Sequence, residues 1–317
     1  MLSVPVTARL TPERVSRSGP PQAVTAGPAT SHMVIAARSR SVHGPWENCP
    51  HNPLVRTLDA SEKWWSRGHA SLVDGPDGRT WAVYHGFEAG FWTLGRQTLL
   101  DPVEWGADDW PRMTGGDLSR PILKSAGGQR VPHGLALSDD FRTLRLGSTW
   151  NFFKPSPTER SRVSVRDSAL MLKAAGTTPS DSRPLLLIPG DTGYEFECEV
   201  EIDPGVNAGL LLFYDEKLYC GLAFDQKTLL APQYGKMRGR PEPSPGRRLR
   251  IRTTNDRHTV THHTSVDGGR TWKRFERSMD VSGYHHNVRW GFLSLKPGLY
   301  AAGKGEARFR DFQYRAL

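Results

Sequence analysis

The stretch from Gly68 to Arg112 constrains the fold of this 317-residue chain more than any other. It reads G-H-A-S-L-V-D-G-P-D-G-R-T-W-A-V-Y-H-G-F-E-A-G-F-W-T-L-G-R-Q-T-L-L-D-P-V-E-W-G-A-D-D-W-P-R. Three short apolar runs, 70–73, 80–85 and 91–100, alternate with turn clusters. In the first cluster, Asp74 to Gly78, Pro fixes φ and Gly supplies positive φ. The spacing predicts a tight up-and-down β meander. Two positions are not plain strand filler. His69 stands at the mouth of the first strand, and Arg96 stands inside the third, beside Gly95. A guanidinium in an apolar strand needs a partner, and the neighbouring glycine clears space for one.

Composition points the same way. Gly 32 and Pro 24 are high for a helical protein, and apolar residues at 3.6-residue spacing are hard to find, so the chain reads as all-β with many turns. No apolar run approaches the roughly 18–20 residues of a membrane span, so no membrane partner is expected. The net charge of +9 raises the question of nucleic acid. The arginines are spread along the chain, however, and the densest group, Arg247 to Arg252, alternates like a strand with one solvated charged face. No helix-turn-helix, zinc-finger or RNP motif is visible, so no nucleic-acid partner is expected. The three cysteines give neither a disulfide framework nor a metal-ligand spacing, and Cys198 reads as a buried thiol. The N-terminus lacks the apolar core of a signal peptide, which makes the cytoplasm the default location.

Residues 1–23 form a Ser/Arg/Pro segment without periodicity, read as a disordered or aberrant leader ahead of a truncated gene. Residues 24–117 hold a 32–37 strand, a loop rich in His and Pro, and the meander. This length holds about two four-stranded units of roughly 40–50 residues each. Residues 118–134 read as a linker. Residues 135–317 are patterned throughout. From Tyr194 to Ile202 apolar residues alternate with four glutamates without error, as in a half-buried antiparallel strand. Further strands are expected at 208–214, 218–224, 249–254, 259–265, 271–276, 288–295 and 307–314. Asp267-Gly-Gly269 signals a hairpin ahead of a packing Trp272. Together these strands predict a jelly-roll sandwich of two packed sheets.

Four phrases, in order, carry a resemblance: A-A-R-S-R-S-V-H-G-P-W-E (36–47), H-N-P-L (51–54), G-H-A-S-L-V (68–73) and L-G-R-Q-T-L-L-D-P-V-E-W (94–105). They resemble the last blades of the five-bladed β-propeller of glycoside hydrolase family 43, the β-xylosidases and α-L-arabinofuranosidases. Residues 135–317 resemble the concanavalin A-like β-sandwich that follows the propeller in the β-xylosidase branch. The resemblance implies an inverting hydrolase acting on oligosaccharides that contain xylose or arabinose. Its Asp base, a second Asp and an E-G-P Glu acid have no matching positions in this chain. Glu13 is followed by Arg14 and Val15 instead of Gly and Pro. No catalytic residue is therefore assigned, and the chain is expected to be inactive alone. A stand-alone carbohydrate-binding sandwich is the alternative.

The resemblance makes Arg96 the residue that lines the sugar subsite, donating to a substrate hydroxyl or a catalytic carboxylate. Phe91 can stack on a sugar ring, as can Phe87 and Trp92. Glu88, in a loop, can reach a sugar hydroxyl. His69 matches a family histidine in the neighbourhood of a structural calcium. Calcium prefers oxygen ligands, so one imidazole predicts no metal by itself, and no cofactor is required. His262-His263 and His285-His286 look like ligands, but adjacent strand residues point to opposite faces and cannot chelate side by side.

Overall fold

A computed structural model describes residues 9–11, 14–17, 27–114, 136–237 and 242–317. The chain divides into two compact units, one of 1–92 with 96–132 and one of 93–95 with 133–317. The segment expected as a linker, 118–134, lies outside the described residues. The described residues are nearly all β, with one four-residue helix at Gly27–Thr30 and two short 3-10 turns.

In the first unit the meander forms a four-stranded antiparallel sheet. Its spatial order is Pro111–Met113, Gln97–Trp105, Thr80–Glu88 and Trp64–Asp74. The Asp74–Gly78 turn closes as its composition requires. The Gly75 N–H donates to the Arg79 carbonyl at 2.7 Å, and Gly78 takes a φ of +74°. Ala70, Ala82, Tyr84, Leu99 and Val103 form the buried face, packed with Val34 and Val55. The first strand begins at Trp64, so His69 lies inside it and not at its mouth. The third run divides. Trp92–Leu94 is a 3-10 turn, Gly95 takes a φ of +70°, and the strand starts at Gln97, which leaves Arg96 just ahead of it.

A second four-stranded sheet contains Arg9–Thr11, Arg14–Arg17, Ala37–Ser39 and Glu47–Asn48. Its first two strands fall in the segment read as a patternless leader. They are too short to print a period in the sequence, yet Val15, Ser16 and Arg17 pair with Ser39, Arg38 and Ala37. The expected 32–37 strand is interrupted between Met33–Val34 and Ala37–Ser39. At the break the Asn52 side chain stands in for a neighbouring strand: its Oδ1 accepts from the Ala36 N–H at 2.8 Å and its Nδ2 donates to the Ala36 carbonyl at 2.9 Å.

The second unit is a sandwich of a nine-stranded and a seven-stranded sheet. In the seven-stranded sheet Gly193–Ile202 lies between Glu306–Ala316 and Arg248–Asp256. Tyr194, Phe196, Cys198, Val200 and Ile202 enter the core at 0–1% exposure, as the alternation dictates. The four glutamates face outward and meet arginines across the strands. Arg250 Nη2 lies 2.8 Å from Glu197, Arg248 Nη2 2.7 Å from Glu199, and Arg310 Nη1 2.8 Å from Glu201. The Arg247–Arg252 run is thus a partly neutralised ladder and not an open cationic stripe. Trp272 packs under it, with the Arg252 guanidinium 3.9 Å from the ring centre.

The nine-stranded sheet carries Val206–Phe213 and Tyr219–Phe224, which read as continuous apolar runs. That pattern fits burial on both faces. Leu210, Leu212 and Leu222 join the main core, while Leu211, Phe213, Tyr219, Tyr300 and Ala302 form a separate cluster on the opposite face. The strand expected at 288–295 is absent; that segment is a loop, and Lys296–Gly303 is the strand. Among the described residues no helix is long and apolar enough to cross a membrane.

One buried polar residue makes the sandwich acid-sensitive. His262 is fully buried, bonded through Nδ1 to Thr253 Oγ1 at 2.9 Å, and His263 points to the other face. Burial, helped by His263, lowers the His262 pKa to about 3. The folded state therefore keeps this imidazole neutral where the unfolded chain protonates it. Its contribution is intact above the ordinary value of 6.5 and is lost as pH falls from there toward about 3. The expected slope is at most about 1.4 kcal/mol per pH unit. Urea unfolding at pH 7 and pH 5 checks this. His262→Gln should flatten the pH dependence, and an unchanged slope would contradict the assignment.

Candidate sugar-binding site

The candidate residues of the first unit gather where the Trp64–Asp74 strand departs from regular pairing with Thr80–Glu88. Bulges flank the Gly68–His85 pair. Ser66 and His69 take φ values of +49° and +60°, a region that costs non-glycine residues energy and recurs at functional sites. Gly68 is required by a close approach, since a Cβ there would lie 2.7 Å from the His32 ring. The bulges thus turn His69 outward and let His32 settle against the strand.

Three imidazoles result. The His32 and His85 rings are 5.2 Å apart, and those of His69 and His85 are 5.7 Å apart and stacked. Both His85 ring nitrogens are buried without a hydrogen-bond partner among the described residues. Burial, then the Arg96 charge, then the other two histidines, lower the His85 pKa to about 3. Burial, then Arg96 and His69, also lower that of His32. His85 and His32 are therefore neutral at pH 7, with Arg96 beside them as a fixed cation. The guanidinium lies 5.8 Å from the Phe87 ring centre, and its side chain stays accessible to solvent.

Phe87 is 2% exposed and packs on Trp92 at 4.4 Å, which itself meets Trp65 at 5.4 Å. Phe87 is thus the floor under Arg96 and not a free stacking platform. Glu88 ends its strand opposite Trp64, and its carbonyl accepts from the Phe91 N–H at 2.9 Å in the turn that Gly90 closes with a φ of +82°. Both are half-buried and follow directly on the Phe87 end of the strand. Arg96 and His69 are brought together through His85. His32 and His85 were not singled out from the sequence. The available signal was a histidine inside the apolar run T-W-A-V-Y-H.

The surroundings of His69 do not fit a directly bound calcium. They offer imidazole nitrogens and a cation, where calcium takes oxygen ligands. Among the described residues no group of three or more His, Cys, Asp or Glu is placed to hold a metal ion. A small apolar pocket lies elsewhere in the unit, between Val34, Leu72, Trp105 and Met113, and its walls include none of the cluster. The carboxyl groups with a displaced pKa among the described residues, including Asp181, Asp215 and Asp311, are all displaced downward. A glycosidase acid needs the opposite displacement.

Comparison with known proteins bears on both units. Residues 21–111 match the sequence profile of glycosyl hydrolases family 43, and residues 138–315 match that of the β-xylosidase C-terminal concanavalin A-like domain. The non-reducing end α-L-arabinofuranosidase BoGH43B of Bacteroides ovatus is 27% identical, over 92% of this chain and 59% of the relative. Xylosidase/arabinosidase 43B of Humicola insolens is 30% identical, over 45% of this chain and 29% of the relative. Among solved structures, BlXynB of Bacillus licheniformis superimposes with a TM-score of 0.81 at 24% identity, over 96% of this chain and 63% of that one. The last is a likeness of fold. The chain spans about three fifths of the length of the relatives it matches most fully.

Proposed function

For a chain that belongs to glycosyl hydrolases family 43, with that family's β-xylosidase C-terminal concanavalin A-like domain over 138–315, we propose that Arg96 and the residues around it form the sugar-gripping side of a glycosidase site. The substrate class is an oligosaccharide bearing xylose or arabinose. The observation that carries this reading is a solvent-accessible guanidinium set over an aromatic floor and beside the neutral imidazoles of His32 and His85.

A pentose is a neutral polyol with apolar C–H patches. Arg96 offers it a fork of donors, and Glu88 offers acceptors. Phe91 supplies an aromatic edge or face. The His32 and His85 imidazoles, uncharged at neutral pH, can donate or accept without repelling Arg96. Glu88 is the single carboxyl among these groups where inverting hydrolysis takes two, so in this reading they position the sugar and do not cleave it. Inverting hydrolysis needs one carboxyl to protonate the leaving oxygen and another to activate water.

The test is to incubate the purified chain with an aryl xyloside and an aryl arabinofuranoside, and to follow pentose binding by NMR. Binding without turnover above the uncatalysed rate is the expected result. Robust turnover would overturn the positioning role, and absence of pentose binding would overturn the site.

A further inference from the structure

Arg257 and His258 form the loop between the Arg248–Asp256 and Thr259–Ser265 strands, whose ends pair as Asp256 with Thr259. A two-residue hairpin loop of this kind takes positive φ at both positions, and its second position usually holds glycine. Here Arg257 has a φ of +55° and His258 one of +142°. The second value is strain for a residue with a Cβ. The His258 carbonyl accepts from the Val281 N–H at 2.9 Å, which helps to hold the turn. The imidazole Nε2 lies 3.2 Å from Thr93 Oγ1. Thr93 is 4% exposed, so its hydroxyl needs such a partner. The Thr93 carbonyl accepts from the Leu295 N–H at 2.7 Å. Gly95 lies against the preceding residues: a Cβ there would stand 3.1 Å from Ser294 Cβ and 3.3 Å from the Leu293 carbonyl oxygen. Thr93–Gly95 accordingly belongs to the sandwich unit, although the residues on either side of it do not.

We infer that His258 is a positioning residue for the candidate sugar site: by holding Thr93 it fixes the short anchor from which Arg96 projects, and so sets where the guanidinium can meet a pentose. The inference rests on the sugar-gripping role proposed for Arg96 and names what places that side chain. Arg96 follows Gly95 by one peptide bond. Its side chain is long and flexible, and a binding group has to be held within about 0.5 Å of its working place. Gly95, at a φ of +70°, is a soft link by itself. The two hydrogen bonds to Thr93 and the close approach of Ser294 remove that freedom. Burial, partly offset by Asp280, lowers the His258 pKa, so the anchor adds no second cation at pH 7. The strain at His258 then has a physical reason, since glycine would relax the turn and lose the bond.

The test uses the full chain and two readouts. The first is affinity for methyl xyloside and methyl arabinofuranoside. His258→Gly, which suits the backbone of the turn, should weaken binding roughly 3–10-fold. His258→Gln, whose amide can take the place of Nε2, should restore most of it. Thr93→Val removes the same bond from its other end, so its loss should be alike and should not add to that of His258→Gly. The second readout is the NMR signal of the Arg96 Nε–H, identified by its absence in Arg96→Lys and recorded without sugar. It should shift or broaden in His258→Gly and return in His258→Gln. An unmoved Arg96 signal in His258→Gly, unchanged affinity in that variant, or fully additive losses would each overturn the inference. Failure of the Arg96 site itself would instead appear as no pentose binding in the unmodified chain, and the Arg96 signal would still decide whether His258 places the guanidinium.

Discussion

Replacing Asp139 with alanine is expected to destabilise the sandwich unit by about 3–5 kcal/mol. Asp139 is 5% exposed and serves three donors. Its Oδ1 accepts from the Phe141 N–H at 2.9 Å; its Oδ2 accepts from Trp150 Nε1 at 2.9 Å and Arg145 Nε at 3.0 Å. Its backbone exchanges both hydrogen bonds with Phe312, at 2.8 and 3.0 Å. Phe141, Trp150 and Phe312 are each at most 1% exposed and touch ring to ring. One carboxylate thus fastens the entering chain to the core. Alanine would leave the indole N–H without its acceptor in a dry interior, and Arg145 without its counter-charge. Losing one side of a buried polar contact costs more than making it gains. For a unit of this size the loss corresponds to roughly 2–4 °C per kcal/mol, or roughly 6–20 °C in calorimetry of the full chain. Asp139→Asn keeps an acceptor for Trp150 and should lose less. A shift under about 2 °C for the alanine variant would sink this account.

Asp139 also illustrates what a sequence can and cannot display. The L-S-D-D-F phrase looks like any polar turn, because its partners Arg145, Trp150 and Phe312 are assembled only by the fold. The Tyr194–Ile202 strand is legible because one face is core and the other carries glutamates, which prints the period directly. Val206–Phe213 is legible as a strand, but its burial on two faces erases the alternation that would assign its sides. The segment Val288–Leu295 deceives. V-R-W-G-F-L-S-L alternates well, yet Gly291 and Phe292 lie at positive φ one after the other, which turns the chain away from an extended course. In the first unit the phrases that carry the family resemblance also carry Arg96 and His69. His32 and His85 were missed for two physical reasons. His32 reaches the site through the space that Gly68 leaves, a contact between distant segments. His85 sits in an apolar strand, where a neutral histidine costs little enough to pass as filler.

Replacing Arg96 with alanine is expected to weaken pentose binding by roughly 10–150-fold, the equivalent of about 1.5–3 kcal/mol for a hydrogen bond to a charged donor. Its guanidinium is the fixed cation of the cluster, and Phe87 beneath it limits where the fork can point. Lysine restores the charge but not the planar pair of donors, so Arg96→Lys should recover only part of the loss. A second readout separates this role from simple packing. The Arg96 charge is the second cause, after burial, of the low His85 pKa. Its removal should move the His85 titration upward from about 3 toward the ordinary 6.5, though not all the way, because burial remains. Proton NMR of the imidazole resonances follows this directly. The sign is fixed: a cation opposes protonation of its neighbour, and deleting it makes protonation easier. If sugar binding falls while the imidazole titrations stay where they were, Arg96 does not act on this cluster. If the titrations move and binding is unchanged, the cluster is a structural knot and the sugar is held elsewhere.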